Sequence, residues 1–232
     1  MGKKIRTYHD LLDHGNETSA YLFGLWLADG NIFLSTSRGG RRVQKSFAII
    51  NTDVQLMRMI GKLFGKKPCQ RWDGNPKHKP CFTLKVKSDR LFDVCYSHTG
   101  STPKSDQSLS VPDISKELFH HFVRGFFDGD GSIGFKRYRN RHGKPVSALT
   151  TSFSAGLATG DFLERLRDRI RLHTPVGLKK VNTGKTSRKL VFNQYDSMLL
   201  CEWMYRNATL FMARKKAVWD SADKERLTKS RK

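Results

Sequence analysis

The sequence predicts an α+β fold of two similar halves, each with the element order helix, two strands, helix, two strands, helix. The first observation is a repeated stretch, because residues 22–30 have the sequence LFGLWLADG and residues 123–131 have the sequence VRGFFDGDG. The second is that a similar succession of helical and strand-like patterns follows each stretch. A pattern used twice suggests a duplicated unit, and 232 residues can form one large domain or two small ones that share a core.

The first half is predicted over residues 18–96, after a basic and polar lead-in at residues 1–17. Thr18 or Ser19 is expected to cap a first helix that ends at Asp29 and Gly30. The elements predicted after it are strands at residues 31–35 and 43–50, a helix at 54–64, strands near 70–72 and at 81–87, and a helix from residue 91. Residues 97–114 are rich in Ser, Thr, Gly and Pro and are predicted to be a linker.

The second half is predicted over residues 115–222, followed by a polar tail at residues 223–232. Ser115 is expected to cap its first helix. The predicted elements are a helix at residues 116–129, strands at 132–138 and 146–154, a helix at 162–170, strands at 176–181 and 189–194, and helices at 198–205 and 210–219. Both sheets are expected to be antiparallel, with helices on one face and solvent on the other.

The charge of the chain points to an anionic partner. A formal net charge of +22 and a pI near 10.2 make a folded monomer repel itself, so such a charge usually serves binding. Nucleic acid fits best, because each phosphate contact by Lys or Arg releases counterions. A membrane surface is the weaker alternative, since no basic amphipathic helix is evident and Arg6 stands where a myristoylation signal needs Ser or Thr.

The compartment is expected to be intracellular: a bacterial or phage-infected cytoplasm, or an organelle. No stretch is long and apolar enough to span a bilayer, and the charged start is unlike a signal peptide. The four cysteines, at positions 69, 81, 95 and 201, show no Cys-x-x-Cys spacing. Reduced thiols are therefore favoured over a zinc site formed by Cys69, His78 and Cys81.

The two repeated stretches are predicted to pack against each other as helices. Gly24 and Ala28 stand four residues apart, as do Gly125 and Gly129, so each pair shares one helix face. Small residues on such a face let two helix backbones approach closely. The two helices would then deliver the acidic residues that follow these pairs to the same end.

Those acidic residues are Asp29 and Asp130. Each carboxylate would lie at a helix C-terminus, where the helix dipole is already negative, and a like charge beside it adds repulsion. This arrangement requires a cation, and hard oxygen ligands favour Mg²⁺. Two such ions about 4 Å apart can stabilise the attacking and leaving oxygens of phosphodiester hydrolysis. We therefore expect Mg²⁺ as the cofactor, with Mn²⁺ or Ca²⁺ as alternative occupants of the same sites.

In their glycines and aspartates, the two stretches resemble the paired motifs of single-chain LAGLIDADG homing endonucleases. The resemblance covers nearly the whole chain. The matching residues are Gly24, Ala28, Asp29 and Gly30 in the first motif and Gly125, Asp128, Asp130 and Gly131 in the second. The resemblance implies two pseudo-symmetric αββαββα halves, motif helices at their interface and two saddle-shaped sheets in the DNA major groove. It also implies metal-dependent cleavage of both strands across the minor groove, which leaves short 3′ overhangs.

The resemblance further implies the metal ligands, which are the Asp29 and Asp130 carboxylates and the backbone carbonyls of Ala28 and Gly129. Leu27 departs from the motif, whereas Asp128 keeps the acid in the second copy. That position does not bind metal in the family, so activity is expected to be retained. The two halves are nevertheless unequal, which suits a monomer that recognises a non-palindromic site.

Further polar groups are implied by the resemblance, because the family places them around the metals to organise the attacking water. Asn51 is the candidate in the first half, and Lys87, with Lys85 as its rival, is the candidate at the end of the fourth strand. Ser154 and Gln194 are the counterparts in the second half. A solvated or phosphate-facing strand edge is an equally supported interpretation of the two lysines.

The strands after each motif are predicted to contact DNA, with Asn31, Phe33 and Ser35 on one face and the apolar residues Ile32 and Leu34 facing the helices. Arg and Gln can recognise guanine and adenine, although many charges will contact only phosphates. The other first-half candidates are Arg38, Arg41, Arg42, Gln44, Arg71, Lys77 and Lys79. The second-half candidates are Lys136, Arg137, Arg139, Arg141, Lys179, Lys180, Lys185 and Arg188. Lys104 in the linker is a further candidate, whereas Arg214, Lys215 and Lys216 are expected to form a solvated helix face, with a phosphate contact as the alternative.

The predicted function is metal-dependent, double-strand cleavage of a long, non-palindromic site in double-stranded DNA by a monomer. Two alternatives stay open: a maturase on the same fold that binds intron RNA and assists splicing, and a DNA-binding regulator without catalysis. The presence of both aspartates disfavours the regulator. An intein-embedded form is disfavoured by the lack of a terminal His-Asn followed by a nucleophile, so a free-standing or intron-encoded enzyme fits better.

Overall fold

The computed structural model of this protein describes Leu12 and residues 15–36, 43–72, 74–76, 79–105, 109–139 and 141–223. It has the predicted α+β fold with two halves of similar element order. The first half contains α1 (Glu17–Asp29), β1 (Gly30–Thr36), β2 (Val43–Asn51), α2 (Val54–Leu63), β3 (Cys69–Arg71), β4 (Cys81–Lys87) and α3 (Asp89–Thr99). The second contains α4 (Phe119–Asp130), β5 (Gly131–Arg139), β6 (Pro145–Gly156), α5 (Phe162–Arg171), β7 (Val181–Thr183), β8 (Ser187–Asn193), α6 (Gln194–Met204) and α7 (Ala213–Asp220).

The two sheets have the same topology, with the strand orders β1-β2-β4-β3 and β5-β6-β8-β7, and all pairs are antiparallel. One face of each sheet packs on helices, as the full burial of Ile32, Phe47 and Leu84 and of Phe153 and Leu190 shows. Alternate residues point to the opposite face, which we call the open face. Leu34, predicted on the covered face, is 49% exposed, so that face is not fully covered at the end of β1.

Helices α1 and α4 pack at the centre of the molecule through their glycines. A Cβ atom added to Gly24 would lie 2.1 Å from the carbonyl oxygen of Phe122, and one added to Gly125 would lie 2.0 Å from that of Tyr21. Real side chains do not approach a backbone atom so closely, so only glycine permits this packing. The predicted close approach of the two motif helices is confirmed.

Several helix starts differ from the prediction, since α6 begins at Gln194 rather than at Met198 and α7 at Ala213 rather than at Leu210. Helix α1 begins at Glu17, because Asn16 caps it: Asn16 Oδ1 accepts from Ser19 N at 2.9 Å, and Ser19 Oγ accepts from Asn16 N at 3.2 Å. This reciprocal capping box satisfies two amide groups at the helix start. Helix α4 begins at Phe119 without a side-chain cap, since the residues after Ser115 form a turn rather than a first helical turn.

Two further boundaries lie elsewhere than predicted. Helix α3 continues to Thr99, into the predicted linker, and ends where Gly100 adopts φ +65°. Strand β7 has three residues, beginning at Val181. The preceding residues, predicted as strand from Val176, have no regular structure, although Val176 itself is buried. Val176 fills a core position from a segment without regular structure, and its apolar side chain led to the wrong prediction of a strand there.

The cysteines are free thiols, with Cys69 exposed, Cys81 half-buried and Cys95 and Cys201 buried. His78, the third member of the less favoured zinc site, lies outside the described residues. None of the helices in the described ranges combines the length and hydropathy that crossing a membrane would need.

Candidate active site

The ends of α1 and α4 bring Asp29 and Asp130 to the same edge of the helix pair. Gly30 and Gly131 end the two helices in extended conformation and begin β1 and β5. A Cβ atom added to Gly129 would lie 3.0 Å from Asp29 Oδ2. The two helix ends therefore approach closely, and each aspartate is held directly at the end of its helix.

The surroundings of the Asp29 carboxylate disfavour its ionised form. Burial raises its pKa to about 6, a hydrogen bond from Asn51 opposes that change, and the charge of Asp130 raises the pKa further. Within the described residues no salt bridge involves Asp29. The neighbouring negative charge of Asp130 therefore makes ionisation of Asp29 less favourable.

Asn51, a predicted site residue, lies beside Asp29. Its Nδ2 donates to Asp29 Oδ2 at 2.5 Å, and its Oδ1 accepts from Asp53 N at 2.7 Å. The second contact orients the amide, because Asp53 is the N-cap of α2. Asn51 therefore fixes the rotamer of Asp29.

Lys104, from the linker, reaches the C-terminus of α1. Its Nζ donates to the carbonyl of Leu27 at 2.5 Å and lies 3.3 Å and 3.4 Å from those of Trp26 and Ala28. It also lies 5.4 Å from the centre of the Trp26 ring. The Trp26 carbonyl also accepts from Gly30 N, whereas Leu27 and Ala28 lie in the last turn, where helix carbonyls lack partners within the helix. The cation therefore stabilises the helix end rather than extending towards DNA as predicted.

Lys215, from α7, makes the corresponding contacts at the C-terminus of α4. Its Nζ donates to the carbonyls of Phe127, Asp128 and Gly131 at 2.5, 2.9 and 2.6 Å, and lies 5.0 Å from the centre of the Phe127 ring. The side chain is 2% exposed, which corrects the expected solvated face. Burial lowers the pKa of Lys215 to about 8, while the negative charge of Asp128 opposes this change.

Lys104 and Lys215 are therefore structural equivalents, because Trp26 and Leu27 in the first motif correspond to Phe127 and Asp128 in the second. The positive charges of both lysines act on Asp29 and lower its pKa. Sequence reasoning missed both as active-site residues. A lysine that follows the third helix of each half is too weak a signal, because Lys104 lies in a loop and Lys215 lies in a basic run.

Lys87 and Lys85 lie on the open face of the first sheet and are exposed. The Lys85 ammonium lies 5.1 Å from the centre of the Phe33 ring. Within the described residues no hydrogen bond or ion pair joins either lysine to Asp29. Their exposed position is that of a solvated strand rather than that of groups in contact with the acids.

The second-half counterparts of Asn51 do not take its position. Ile49 pairs with Gly30 and Phe153 pairs with Gly131, so Ala155 corresponds to Asn51 and Ser154 lies one residue before it, on the other face. Ala155 has no polar side-chain atom.

Gln194 is the first residue of α6, with φ +40° and a buried Oε1 that has no hydrogen-bond partner in the described structure. It lines a cavity of about 170 Å³ together with Phe135 and Met198, and both of these residues belong to the covered side of the sheet.

The open faces carry several of the predicted DNA contacts. Strand pairing and alternation place these residues there: Asn31, Phe33, Ser35, Gln44 and Arg71 in the first half and Lys136 in the second. Asn31 is partly engaged, since its Oδ1 accepts from Ile32 N and Lys104 N. Tyr138, Asn182 and Lys189 lie on the same face of the second sheet and were not predicted.

Other predicted contacts lie elsewhere. Arg188 is on the covered face and forms an ion pair with Glu164 of α5, so its side chain does not lie on the open face as predicted. Lys179 pairs with Asp196 at 2.5 Å. Exposed residues in hairpins or off the open face are Lys79, Arg137, Arg139, Arg141, Lys180 and Lys185. Predicted residues outside the described ranges are Arg38, Arg41, Arg42 and Lys77.

The neighbours of Lys215 in α7 remain near the surface. Arg214 lies 3.3 Å from the Asp53 carboxylate, and Lys216 forms an ion pair with Asp220 at 2.5 Å. The basic run at this position therefore divides into one buried and two surface cations.

The donor set fits a hard divalent cation. Among the described residues no group of three or more His, Cys, Asp or Glu side chains is placed to hold a metal. The available donors are therefore the two carboxylates with backbone carbonyl and solvent oxygens, a set that suits Mg²⁺. The raised pKa of Asp29 indicates that a positive charge at this point would be favourable.

Several solved structures are similar to this chain in fold. The LAGLIDADG meganuclease I-AabMI bound to uncleaved DNA has a TM-score of 0.60 at 13% identity, over 93% of this chain and 92% of that chain. The I-LtrWI LAGLIDADG homing endonuclease bound to target DNA has a TM-score of 0.55 at 15% identity, over 85% and 86%. The I-SmaMI LAGLIDADG homing endonuclease bound to cleaved DNA has a TM-score of 0.58 at 13% identity, over 88% and 87%. No protein-family model and no curated protein sequence matches this chain.

Proposed function

We propose that this protein, whose fold is that of the single-chain LAGLIDADG homing endonucleases, is a monomeric, site-specific DNA endonuclease that cuts both strands of a long, non-palindromic target. One observation carries the proposal: two equivalent helix ends each present an aspartate, Asp29 or Asp130. At each helix end a lysine, Lys104 or Lys215, binds the backbone carbonyls. Two equivalent sets of groups suit the cleavage of two DNA strands. The cuts are proposed to leave short 3′ overhangs.

We further propose that Asp29 and Asp130, with the carbonyls of Ala28 and Gly129, hold Mg²⁺. Bound there, the metal would supply positive charge to the scissile phosphate and to the leaving oxygen. The Asp29 carboxylate must be ionised for this role, and its pKa of about 6 permits that at neutral pH. Asn51 keeps the carboxylate oriented through its 2.5 Å hydrogen bond.

The two lysines are proposed to serve the reaction through charge. Each ammonium offsets the negative helix C-terminus beside its aspartate, which allows two acids and a DNA phosphate to come together. Preorganised charges of this kind act strongly where water is excluded. Because each lysine contacts one motif helix, each is expected to serve mainly one of the two cuts.

Recognition of DNA is proposed to occur on the two open faces. The side chains of Gln44, Arg71, Lys85, Lys87 and Lys136 would contact bases or phosphates, together with Tyr138, Asn182 and Lys189. Arg and Gln can form paired hydrogen bonds with guanine and adenine. The positive charge of the chain would add a strong dependence of affinity on salt.

Selection of cleaved sites from a randomised DNA library in the presence of Mg²⁺ tests the proposal. We expect recovery of one long, asymmetric sequence with a cut in each strand. Recovery of no cleaved sequence, or of cleavage without sequence preference, would reject a site-specific endonuclease. Intron RNA added as a competitor distinguishes a maturase, since tight RNA binding without DNA cleavage would support that alternative.

Replacement of Lys215 by Met should slow cleavage about a hundredfold. Met has a similar volume but no charge, so the substitution removes the buried cation from the end of α4. The cut made by the second half should be slowed more than the other. Lys216→Met is the matched control, since the Lys216 side chain pairs with Asp220 near the surface, and it should cut at the parent rate. Equal rates for the two variants in a strand-resolved assay would contradict the proposed role of Lys215.

A further inference from the structure

A buried ion pair joins the start of α1 to the middle of α4. Arg124 Nη2 donates to Glu17 Oε1 at 2.8 Å, and the Arg124 side chain is 0% exposed. A buried guanidinium is costly unless its donors are paired. Arg124 also donates to the carbonyls of Leu210 and Met204 and to His121 Nδ1, each at 2.8 Å. Burial lowers the pKa of His121 to about 4, so this ring is neutral and can accept.

The same ion pair holds the segment between α6 and α7, residues 205–212, which we call the α6–α7 connection. Glu17 accepts from the Thr209 amide at 2.7 Å, from the Thr209 hydroxyl at 2.9 Å and from the Leu210 amide at 3.3 Å. Arg124 binds carbonyls at Met204, the last residue of α6, and at Leu210. Ala208 N donates to the Tyr205 carbonyl at the start of the segment, whereas the backbone groups of Thr209 and Leu210 are paired by Glu17 and Arg124. Buried backbone groups need such partners, so these two side chains fix the path of the second part of the connection.

The path of the α6–α7 connection determines where α7 starts. Met212, its last residue, is the N-cap of α7, and its amide donates to Asp128 Oδ2 at 2.7 Å. The Tyr21 hydroxyl donates to the same oxygen at 2.8 Å. Lys215 lies one helical turn later, against the end of α4. The position of Lys215 is therefore set by charged and polar groups of both motif helices.

The first half lacks these groups. The residues at the positions of Arg124 and Asp128 are Phe23 and Leu27, which are apolar and buried. A polar network at those positions is thus specific to the second half.

Lys104 is instead held by the docking of the linker on β1. The Lys104 amide donates to Asn31 Oδ1 at 2.7 Å, and the Thr102 hydroxyl donates to the carbonyl of Ile32 at 3.1 Å. Equivalent lysines are therefore positioned by unrelated contacts, so a change in one set should leave the other lysine in place.

We propose that Glu17 and Arg124 are positioning residues for Lys215 and thereby set the rate of the cut made by the second half. The inference rests on the proposed endonuclease function. Both side chains act through the α6–α7 connection and make no hydrogen bond to Asp29. Their loss should therefore affect the two cuts unequally, which a general loss of stability would not do.

Glu17→Gln tests the proposal, because it keeps the shape of the side chain and removes its charge. The strand that Lys215→Met slows more should be cut about tenfold more slowly by this variant, since small displacements of a reacting group have large effects. The other strand should be cut within about twofold of the parent rate, and affinity for DNA should not change. Glu17→Ala should show the same strand preference with a larger effect.

Glu164→Gln is the matched control, since Glu164 also pairs with an arginine, Arg188, but on α5 and β8 rather than on α7. It should slow neither strand. Equal slowing of both strands by Glu17→Gln, or no slowing, would overturn the proposal.

Hydrogen exchange of the Thr209, Leu210 and Met212 amides separates this inference from the proposed function. The exchange should become faster in Glu17→Gln and stay unchanged in Glu164→Gln. Unchanged exchange in Glu17→Gln would overturn the positioning role. If the parent protein cuts no DNA, the proposed function fails on its own, and the exchange result alone then supports or overturns the positioning of α7.

Discussion

Replacement of Asp29 by Asn should abolish double-strand cleavage, leave DNA binding in place and make the protein more stable at neutral pH. Cleavage should fall about a thousandfold, because a neutral amide cannot hold the cation that the reaction needs. Binding should persist because the exposed cations that are proposed to contact DNA lie on the open faces of the sheets.

The stability change follows from the raised pKa of Asp29, which burial moves from 3.8 to about 6. The folded protein binds the proton of this acid more tightly than the unfolded chain does. The acid therefore destabilises the fold progressively as the pH rises from about 4 through about 6. Asn carries no charge at any pH, so the variant should gain at most about 3 kcal/mol in unfolding free energy at pH 7.5 and almost nothing at pH 4.

Denaturant unfolding of both proteins between pH 4 and pH 7.5 measures this difference. Asp161→Asn is the control, since the Asp161 carboxylate is exposed and pairs with Arg165 on the surface of α5. It should leave cleavage unchanged and show no comparable gain. An Asp29→Asn variant that cuts both strands, or one less stable than the parent at pH 7.5, would contradict the account of this acid.

Gly125→Ala should destabilise the fold by about 3 kcal/mol or more and slow any remaining cleavage about a hundredfold. The added Cβ atom would lie 2.0 Å from the Tyr21 carbonyl oxygen and 2.9 Å from the Leu25 amide nitrogen. Both are backbone atoms of α1, so the two motif helices must separate. That movement would also displace the two aspartates from each other.

The control for Gly125→Ala is Gly134→Ala in β5. No atom lies within 4 Å of an added Cβ at Gly134, so thermal unfolding should be nearly unchanged. Equal melting temperatures for the two variants would show that close contact between α1 and α4 does not limit stability.

Periodicity was sufficient to predict most of the fold. The duplicated motif, with Gly24 and Gly125 at matching positions, predicted the packing of α1 on α4, because only the absence of a side chain permits such an approach. Alternation in β1 likewise predicted a sheet with one covered face, as the burial of Ile32 shows. These are local patterns, and local patterns are visible in a sequence.

Side-chain positions that depend on strand register were harder to predict. Arg188 and Lys189 are adjacent, and both are basic. A shift of one residue moves a side chain to the other face of a sheet, so Arg188 pairs with Glu164 on the covered face while Lys189 lies on the open face. The sequence does not distinguish the two residues, because the pairing of β8 with β6 determines which face each side chain lies on.

Buried charges were also missed, since a charged residue is normally placed at the surface. Lys215 lies within a basic run and Arg124 within an apolar one, yet both are buried. Their partners are backbone carbonyls at the ends of α4 and α6 and the Glu17 carboxylate. Such partners come from distant parts of the chain and become visible only when the chain has folded.

The central claim is that Asp29 and Asp130 together form one metal-dependent centre that cuts both DNA strands. Strand-resolved cleavage of the selected target, labelled separately on each strand, tests it most directly. We predict one cut in each strand, a few nucleotides apart, in the presence of Mg²⁺, and no double-strand product with a chelator, with Asp29→Asn or with Asp130→Asn. Double-strand cleavage by either variant, or by the parent protein in a chelator, would contradict the claim.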